Sequence, residues 1–318
     1  MLYSYIRNYE YTLSKAFAAP RATFGTTRGN AKGISMLQIS RRARFARASL
    51  LGLAILAGSA LSAAADTLVL VQGYLGSAGS WRYSGIVPVL HGRGWQDGGH
   101  LFYGPDGRPH STLAKTSAPN RLYTIDLPTE APIPVQAAFL ASNLAYVAAQ
   151  HPGERIAVVA HSAGGIVARY AAVVDRNVKI DTLVTIATPH LGTAAAEVGS
   201  AISESPLGWV APFFGAGTVN RSQVLYRELW RERPNSLLGW LNRQPHPAAR
   251  YVSIVRATEP TPGAGDSIAP GWSQDMNAVP ALAGRAERII SPGDHGLRIH
   301  DGALIADILA AGGKRAGS

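Results

Sequence analysis

Ser162, Asp266 and His295 carry between them the chemistry of acyl transfer. A serine hydroxyl is a poor nucleophile until an imidazole takes its proton. A carboxylate then fixes the imidazole tautomer and stabilises the imidazolium that forms. The serine is the best specified of the three. In RIAVVAHSAGG, residues 156–160 read as a short buried strand, His161-Ser162-Ala163-Gly164-Gly165 as a sharp turn, and IVARYAAVV as a helix. A nucleophile at the tip of a strand-to-helix turn sits in strained backbone and needs small neighbours, here Ala160 and Gly164, two residues to either side. The Ala163 N–H, at the start of the helix, falls where a tetrahedral oxyanion would form. A serine N-cap between any strand and helix is the competing structural reading. The apolar strand and the paired glycines favour the nucleophile.

Other residues compete for the remaining roles. His161 adjoins the serine, but neighbouring side chains on so tight a turn point apart, which suits packing or loop fixing. His300, at the beginning of the final helix, is a second candidate base. Asp294, Asp275 and Glu259 are rivals of Asp266 for the acid. His190 ends a strand and could face the site or order its own loop. Gln72-Gly73-Tyr74 follows an apolar strand; Gly73 lets the backbone approach closely and the Tyr74 N–H is a candidate second oxyanion donor. The chain has no H-E-x-x-H, no phosphate-binding P-loop, no G-x-G-x-x-G and no cysteine, so thiolate nucleophiles, disulfides and Cys-based metal sites are excluded.

These loops need a frame that brings them to one edge. TLVLV (67–71) reads as the first core strand, followed by a helix-forming segment around Ile86 to Leu90. Residues 100–120 are turn-rich and read as an irregular excursion. RLYTID is another strand, and from Pro134 apolar residues recur at helical spacing (Ala137, Leu140, Leu144, Val147) up to the serine strand. Further strands follow at 181–187, 251–256 and 286–291, then a closing helix in DGALIADILA with a frayed tail. Alternating strands and helices predict an α/β fold with a mostly parallel central sheet and helices on both faces. Loops leaving the carboxyl ends of such strands carry ligand-binding groups. About residues 194–248 the alternation breaks, and large apolar side chains there predict a helical, lid-like insertion. Trp209, Phe213, Phe214 and Trp240 are its candidate substrate-binding residues; on a plainer view they pack the insertion onto the body.

The amino-terminal part is a leader by composition. From Met36 a basic region (Arg41, Arg42, Arg44, Arg47) precedes an apolar run and a small-residue end at Ala63-Ala64-Ala65. The expectation is a true start at Met36, a signal peptide over 36–65, and one domain over 66–318. Ser40-Arg41-Arg42 hints at twin-arginine export. The uncharged stretch from Ala48 to Ala65 is 18 residues, at the short limit for a membrane span, and a core strand follows at once. A retained anchor is therefore disfavoured. Residues 1–65 hold nine Lys or Arg and one acidic residue of a chain whose formal charge is +10, which leaves 21 basic and 19 acidic residues beyond. The basic excess belongs to the leader, and no case for nucleic acid remains.

The blocks VLVQGYLGS, VVAHSAGGIVARY, IATPHLGT, AGDSIAPGWSQ and PGDHGLRIH resemble those of the α/β-hydrolase fold, and particularly of secreted bacterial lipases and related esterases. The resemblance covers most of residues 67–312. It implies Ser162 as nucleophile, Asp266 as acid, His295 as base, and the N–H groups of Tyr74 and Ala163 as oxyanion donors. In that family the loop after the first core strand commonly reads His-Gly; here Gln72 stands at the His position. Some members hold a structural calcium ion near the acid loop. This sequence has no oxygen-ligand pattern that claims one, and no cofactor is expected.

The apolar insertion makes a lipase or carboxylesterase acting on fatty-acyl esters the first expectation, with a lipid or other acyl-ester substrate met at an interface. Thioesterase, polyester depolymerase or amidase activity uses the same triad. Acyl transfer to an alcohol would also suit it, and a non-catalytic binding or chaperone-like protein could be built on the same fold. Export to the periplasm or the medium, without a stable membrane anchor after cleavage, follows from the leader.

Overall fold

The computed structural model describes residues 66–114, 118–197, 221–258 and 265–315. The expected leader and Met36 start, and the candidates Trp209, Phe213, Phe214 and Glu259, lie outside these residues. The described elements, in order, are β1 (Asp66–Val71), α1 (Ala78–Tyr83), α2 (Ile86–Gly92), β2 (Gln96–Tyr103), β3 (Pro109–Ser111) and β4 (Asn120–Ile125). Then come α3 (Ile133–Gln150), β5 (Arg155–His161), α4 (Ala163–Val174), β6 (Thr182–Ile186), α5 (Gln223–Glu228) and α6 (Leu237–Leu241). The chain closes with β7 (Arg250–Ala257), α7 (Gly271–Gln274), β8 (Ala286–Pro292) and α8 (Ile299–Arg315).

The eight strands form one sheet in the order β3-β2-β4-β1-β5-β6-β7-β8. Every pairing is parallel except β2 with the short edge strand β3. β1 pairs with β4 on one side and β5 on the other, in one continuous register from Asp66 to Val71. Strand order reverses around β1, and the crevice at the carboxyl ends of β1 and β5 is where an open parallel sheet places a ligand.

The continuous apolar runs of β1 and β5 follow from burial on both faces. Val69 and Val71, with Val158 and Ala160, face α3 and α4 through Leu140, Leu144, Ile166 and Val167. Leu68 and Leu70, with Ala157 and Val159, face the opposite layer of Trp81, Ile86, Leu90, Ile305 and Ile308 from α1, α2 and α8. Among the described residues no helix is long and apolar enough to cross a membrane.

Two local expectations are corrected. The stretch read as an irregular excursion contains β3 and the second half of β2, which begins ahead of it at Gln96. The strand character of β2 is masked by Gly98 and Gly99 at a register shift between Asp97 and His100. A Cβ on Gly98 would lie 2.7 Å from the Tyr123 ring, and Gly99 has φ +100°, so both glycines answer to local geometry. The closing helix also runs on to Arg315 through the tail read as frayed.

Candidate active site

The turn between β5 and α4 holds Ser162 at φ 52° and ψ −131°, a left-handed conformation that costs a non-glycine residue about 1–3 kcal/mol. Hydrogen bonds hold it there: the Ser162 N–H donates to Ile186 O (2.9 Å) and Gly165 N–H donates to Ser162 O (3.0 Å). Ala160, the departure from a glycine, is buried in the sheet between Val71 and Thr185, where one methyl fits. Gly164 and Gly165 are obligatory for a different reason. A Cβ on the first would collide with the Gln72 carbonyl oxygen, and on the second with the Thr188 hydroxyl.

Ser162, His295 and Asp266 come together, although 133 positions separate the first two in the chain. The His295 Nδ1–H donates to Asp266 Oδ2 (2.9 Å), which leaves Nε2 to accept from the Ser162 hydroxyl at 2.8 Å. Ser162 is 9% exposed and the Asp266 side chain is fully buried. Burial alone would raise the Asp266 carboxyl. The hydrogen bond and charge of His295, with N–H donors from Ala269 and Ile268, outweigh it and hold the carboxyl below its ordinary value. Its Oδ1 accepts from Ile268 N–H (2.9 Å) and Ala269 N–H (2.7 Å), and its Oδ2 also accepts from the Gln274 amide (3.0 Å). The carboxylate is thus satisfied as an anion and aimed at the imidazole.

The rival candidates lie elsewhere. His300 contacts Ser291 Oγ (3.3 Å). Asp294 accepts from the backbone N–H and hydroxyl of Ser267 (2.9 and 2.8 Å) and so ties the acid and histidine loops together. Asp275 caps a short turn through Asn277 N–H. His190 is wholly buried, between the Thr185 hydroxyl (3.1 Å) and the Arg169 guanidinium (3.2 Å), and orders its loop. Trp240, on α6, lies beside Tyr170 of α4 with ring centroids 5.8 Å apart and is 43% exposed. Among the described residues no group of three or more His, Asp or Glu side chains is placed to hold a metal ion.

The loop after β1 passes directly over the serine. A Cβ on Gly73 would lie 2.7 Å from Ser162 Cβ, so only glycine allows this approach. The Tyr74 and Ala163 backbone N–H groups donate to no acceptor among the described residues, which leaves both free for an oxyanion. Gln72 is buried at the position that commonly carries histidine. With its amide turned so that nitrogen faces Ile125 O (2.5 Å) and oxygen faces Leu127 N–H (2.7 Å), it bridges the ends of β1 and β4. Its side chain therefore anchors the loop to the backbone of the neighbouring strand.

His161 has the loop-fixing place read from the sequence, whereas the Arg256–Asp301 pair escapes that reading. The neutral His161 ring bonds the His295 carbonyl through Nε2 (2.7 Å); burial, reinforced by the neighbouring His295, lowers it to about 4. Behind the histidine loop, Arg256 pairs with Asp301 and also donates to Gly296 O (3.0 Å). A lone arginine ending the apolar run YVSIV and a lone aspartate opening the apolar run of α8 are the signal that could have found this pair. Beside the oxyanion loop lies a cleft of about 400 Å³, lined by Tyr74, Leu75, Ser80, Ser84, His161 and Leu297 among others.

Residues 135–201 match the family model of the PGAP1-like alpha/beta domain. No protein of curated function matches the chain in sequence. In structure the chain is similar to the mature lipase BlEst2 of Bacillus licheniformis (TM-score 0.51, 18% identity, covering 78% of this chain and 91% of that one). It also aligns with the lin2722 gene product of Listeria innocua (TM-score 0.49, 16% identity, 72% and 86% covered). A third alignment is with the RedJ thioesterase of Streptomyces coelicolor (TM-score 0.46, 17% identity, 77% and 91% covered). At such identities the likeness is one of fold. With a parallel sheet that reverses beside β1 and a serine raised on the turn after β5, this chain has the α/β-hydrolase fold.

Proposed function

We propose that the chain is a serine carboxylic-ester hydrolase acting on fatty-acyl esters. The observation that carries this reading is the continuous bond path from Asp266 through His295 to Ser162, at 2.9 and 2.8 Å. An ester carbonyl placed over the turn is attacked by Ser162 Oγ while His295 Nε2 takes the hydroxyl proton. The carbonyl oxygen becomes an oxyanion held by the Tyr74 and Ala163 N–H groups. Collapse of the tetrahedral adduct breaks the bond to the alkoxy oxygen, which leaves as alcohol with the proton from His295. Water then attacks the acyl-enzyme, His295 again takes and returns a proton, and the carboxylic acid leaves Ser162 free.

Apolar side chains on the loops that carry the site support an acyl chain as the substrate portion. Leu75, next to the proposed oxyanion donor, is 60% exposed, and Ile268 and Trp272, in and just after the acid loop, are 41% and 52% exposed. The apolar sequence of the insertion supports a lipid-like substrate in the same sense, with the insertion acting as a lid. The leader supports export, with cleavage near Ala65; amino-terminal sequencing of the secreted protein would read Asp66 at or close to its start.

A chain-length series of soluble esters and the matching thioesters, run with wild type and Ser162→Ala in parallel, tests the reading. It predicts ester hydrolysis that increases with acyl length and vanishes in the variant. Activity confined to thioesters would replace the ester reading with a thioesterase one, and full activity in Ser162→Ala would remove the nucleophile.

A further inference from the structure

We propose that Ser222 and Tyr226, at the start of and within α5 of the insertion, are positioning residues for the Tyr74 oxyanion donor; this rests on the serine-hydrolase reading. Gly73 lies against Ser162, so the next N–H in the chain, that of Tyr74, is fixed in place only as well as the loop is. The loop closes by one backbone bond, Gly76 N–H to Gly73 O (3.0 Å), and its next residue, Leu75, sits at φ 55°, a conformation disfavoured for leucine. Gln72 secures the entry to this turn. Asp126 secures its exit by accepting the Ala78 N–H (2.6 Å), and between these two ends the turn is held through the Tyr74 side chain.

That side chain reaches across to α5. The Tyr74 hydroxyl donates to Ser222 Oγ at 3.0 Å. Having spent its one proton there, it accepts from the Tyr226 hydroxyl at 2.6 Å. The two tyrosine rings meet edge to face with centroids 5.5 Å apart. Burial, together with the bond to Tyr74, pushes the Tyr226 phenol above its ordinary value. A relay of hydroxyls with one direction of donation is stiffer than its members taken singly.

The segment 221–228 has independent anchors. At its start Arg221 makes two bonds to Glu130 (2.8 and 2.9 Å). At its end Glu228 accepts the Ile133 N–H at the start of α3 (2.6 Å). Tyr74 therefore leans on a strap fixed at both ends to the β4–α3 connection. Phenylalanine at 226 would keep the ring packing and lose the direction-setting bond, so a purely packing role and a positioning role make different predictions.

The experiment uses the full chain and a short soluble p-nitrophenyl ester. Tyr226→Phe and Ser222→Ala are each expected to lower kcat about tenfold with KM within about twofold, because a displaced donor weakens the transition state more than the bound ester. Affinity for a phenylboronic acid, whose adduct with Ser162 is tetrahedral and anionic, should fall by the same factor. Tyr74→Phe should match them, and the double variant Tyr74→Phe/Tyr226→Phe should be no slower than either single change. Arg93→Ala, which breaks an exposed ion pair with Asp307 away from the strap, should leave kcat unchanged. Unaltered kcat and boronate affinity in Tyr226→Phe and Ser222→Ala, with only a lowered melting temperature, would reduce the relay to packing and overturn the proposal. Wild-type hydrolysis that survives Ser162→Ala would instead overturn the serine-hydrolase reading, and this inference with it.

Discussion

Arg256 and Asp301 form a wholly buried ion pair behind the histidine loop, joined by two bonds of 2.8 and 2.6 Å. The same guanidinium donates to Ser291 Oγ and Gly296 O, and Asp301 also accepts the Arg298 N–H. The pair thus binds the end of β7 to the loop that carries His295. Breaking a buried pair leaves the surviving charge uncompensated. Asp301→Ala is expected to lose about 3–5 kcal/mol in urea denaturation. A loss under about 1 kcal/mol would mean that water or a rearranged neighbour takes the place of the carboxylate.

Asp266 orients His295 rather than taking its proton. Asp266→Asn keeps the shape but offers an amide where the Nδ1–H donates, so the imidazole turns to the wrong tautomer. The expected result is a fall in kcat of about 10³–10⁴-fold with little change in KM. Stability should change less than activity, since Ile268 and Ala269 N–H still find an oxygen in the asparagine. A kcat within tenfold of wild type would reassign the acid.

Two buried histidines, His190 and His246, and the partly buried His161 set the response to acid. His161 and His246 are each lowered to about 4, chiefly by burial, and His190 lies well below its ordinary value for the same reason. The folded protein keeps them neutral at pH 5, whereas the unfolded chain protonates them below about 6.5, so acid favours unfolding. Their contribution to stability is complete above pH 6.5 and falls as the pH drops toward 4, by about 3 kcal/mol each for His161 and His246 across that window. Melting temperatures measured from pH 7.5 to 4 should trace this fall, and a flat profile would contradict it.

Glu228 titrates in the opposite sense. Burial raises it to about 7, with the Ile133 N–H only partly offsetting the effect. Its folded-state value exceeds the unfolded one, so stability is highest below about 4.5 and is lost as the pH rises through 7. Glu228→Gln keeps an acceptor for Ile133 and removes the charge. The variant should match wild type at pH 4 and exceed it by about 2–3 kcal/mol at pH 8. Equal melting temperatures at both pH values would place the carboxylate in water.

Legibility in the sequence follows the range of the forces involved. β1 and β5 show because burial on both faces writes TLVLV and IAVVA as unbroken apolar runs. The turn at Ser162 shows because its glycines are demanded by local clashes. β2 was hidden because Gly98 and Gly99 answer to Tyr123 and to a bulge rather than to strand propensity. The end of α8 was hidden for a similar reason: a Cβ on Gly312 would come within 2.9 Å of the Arg250 guanidinium. Such helix glycines read as fraying signals when their partners are unknown. Gln72, Gln274 and the Tyr74–Tyr226 pair were invisible because their partners are set by the tertiary fold; the two tyrosines stand 152 positions apart.

The central claim is that Ser162 is a nucleophile activated by His295. The direct measurement is labelling of the purified protein with a fluorophosphonate, which forms a P–O bond to an activated serine Oγ and expels fluoride, followed by mass spectrometry of the modified peptide. The account predicts one adduct per chain, located at Ser162, and none in Ser162→Ala or His295→Ala. A wild-type protein that remains unlabelled, or is labelled at another serine, would contradict it.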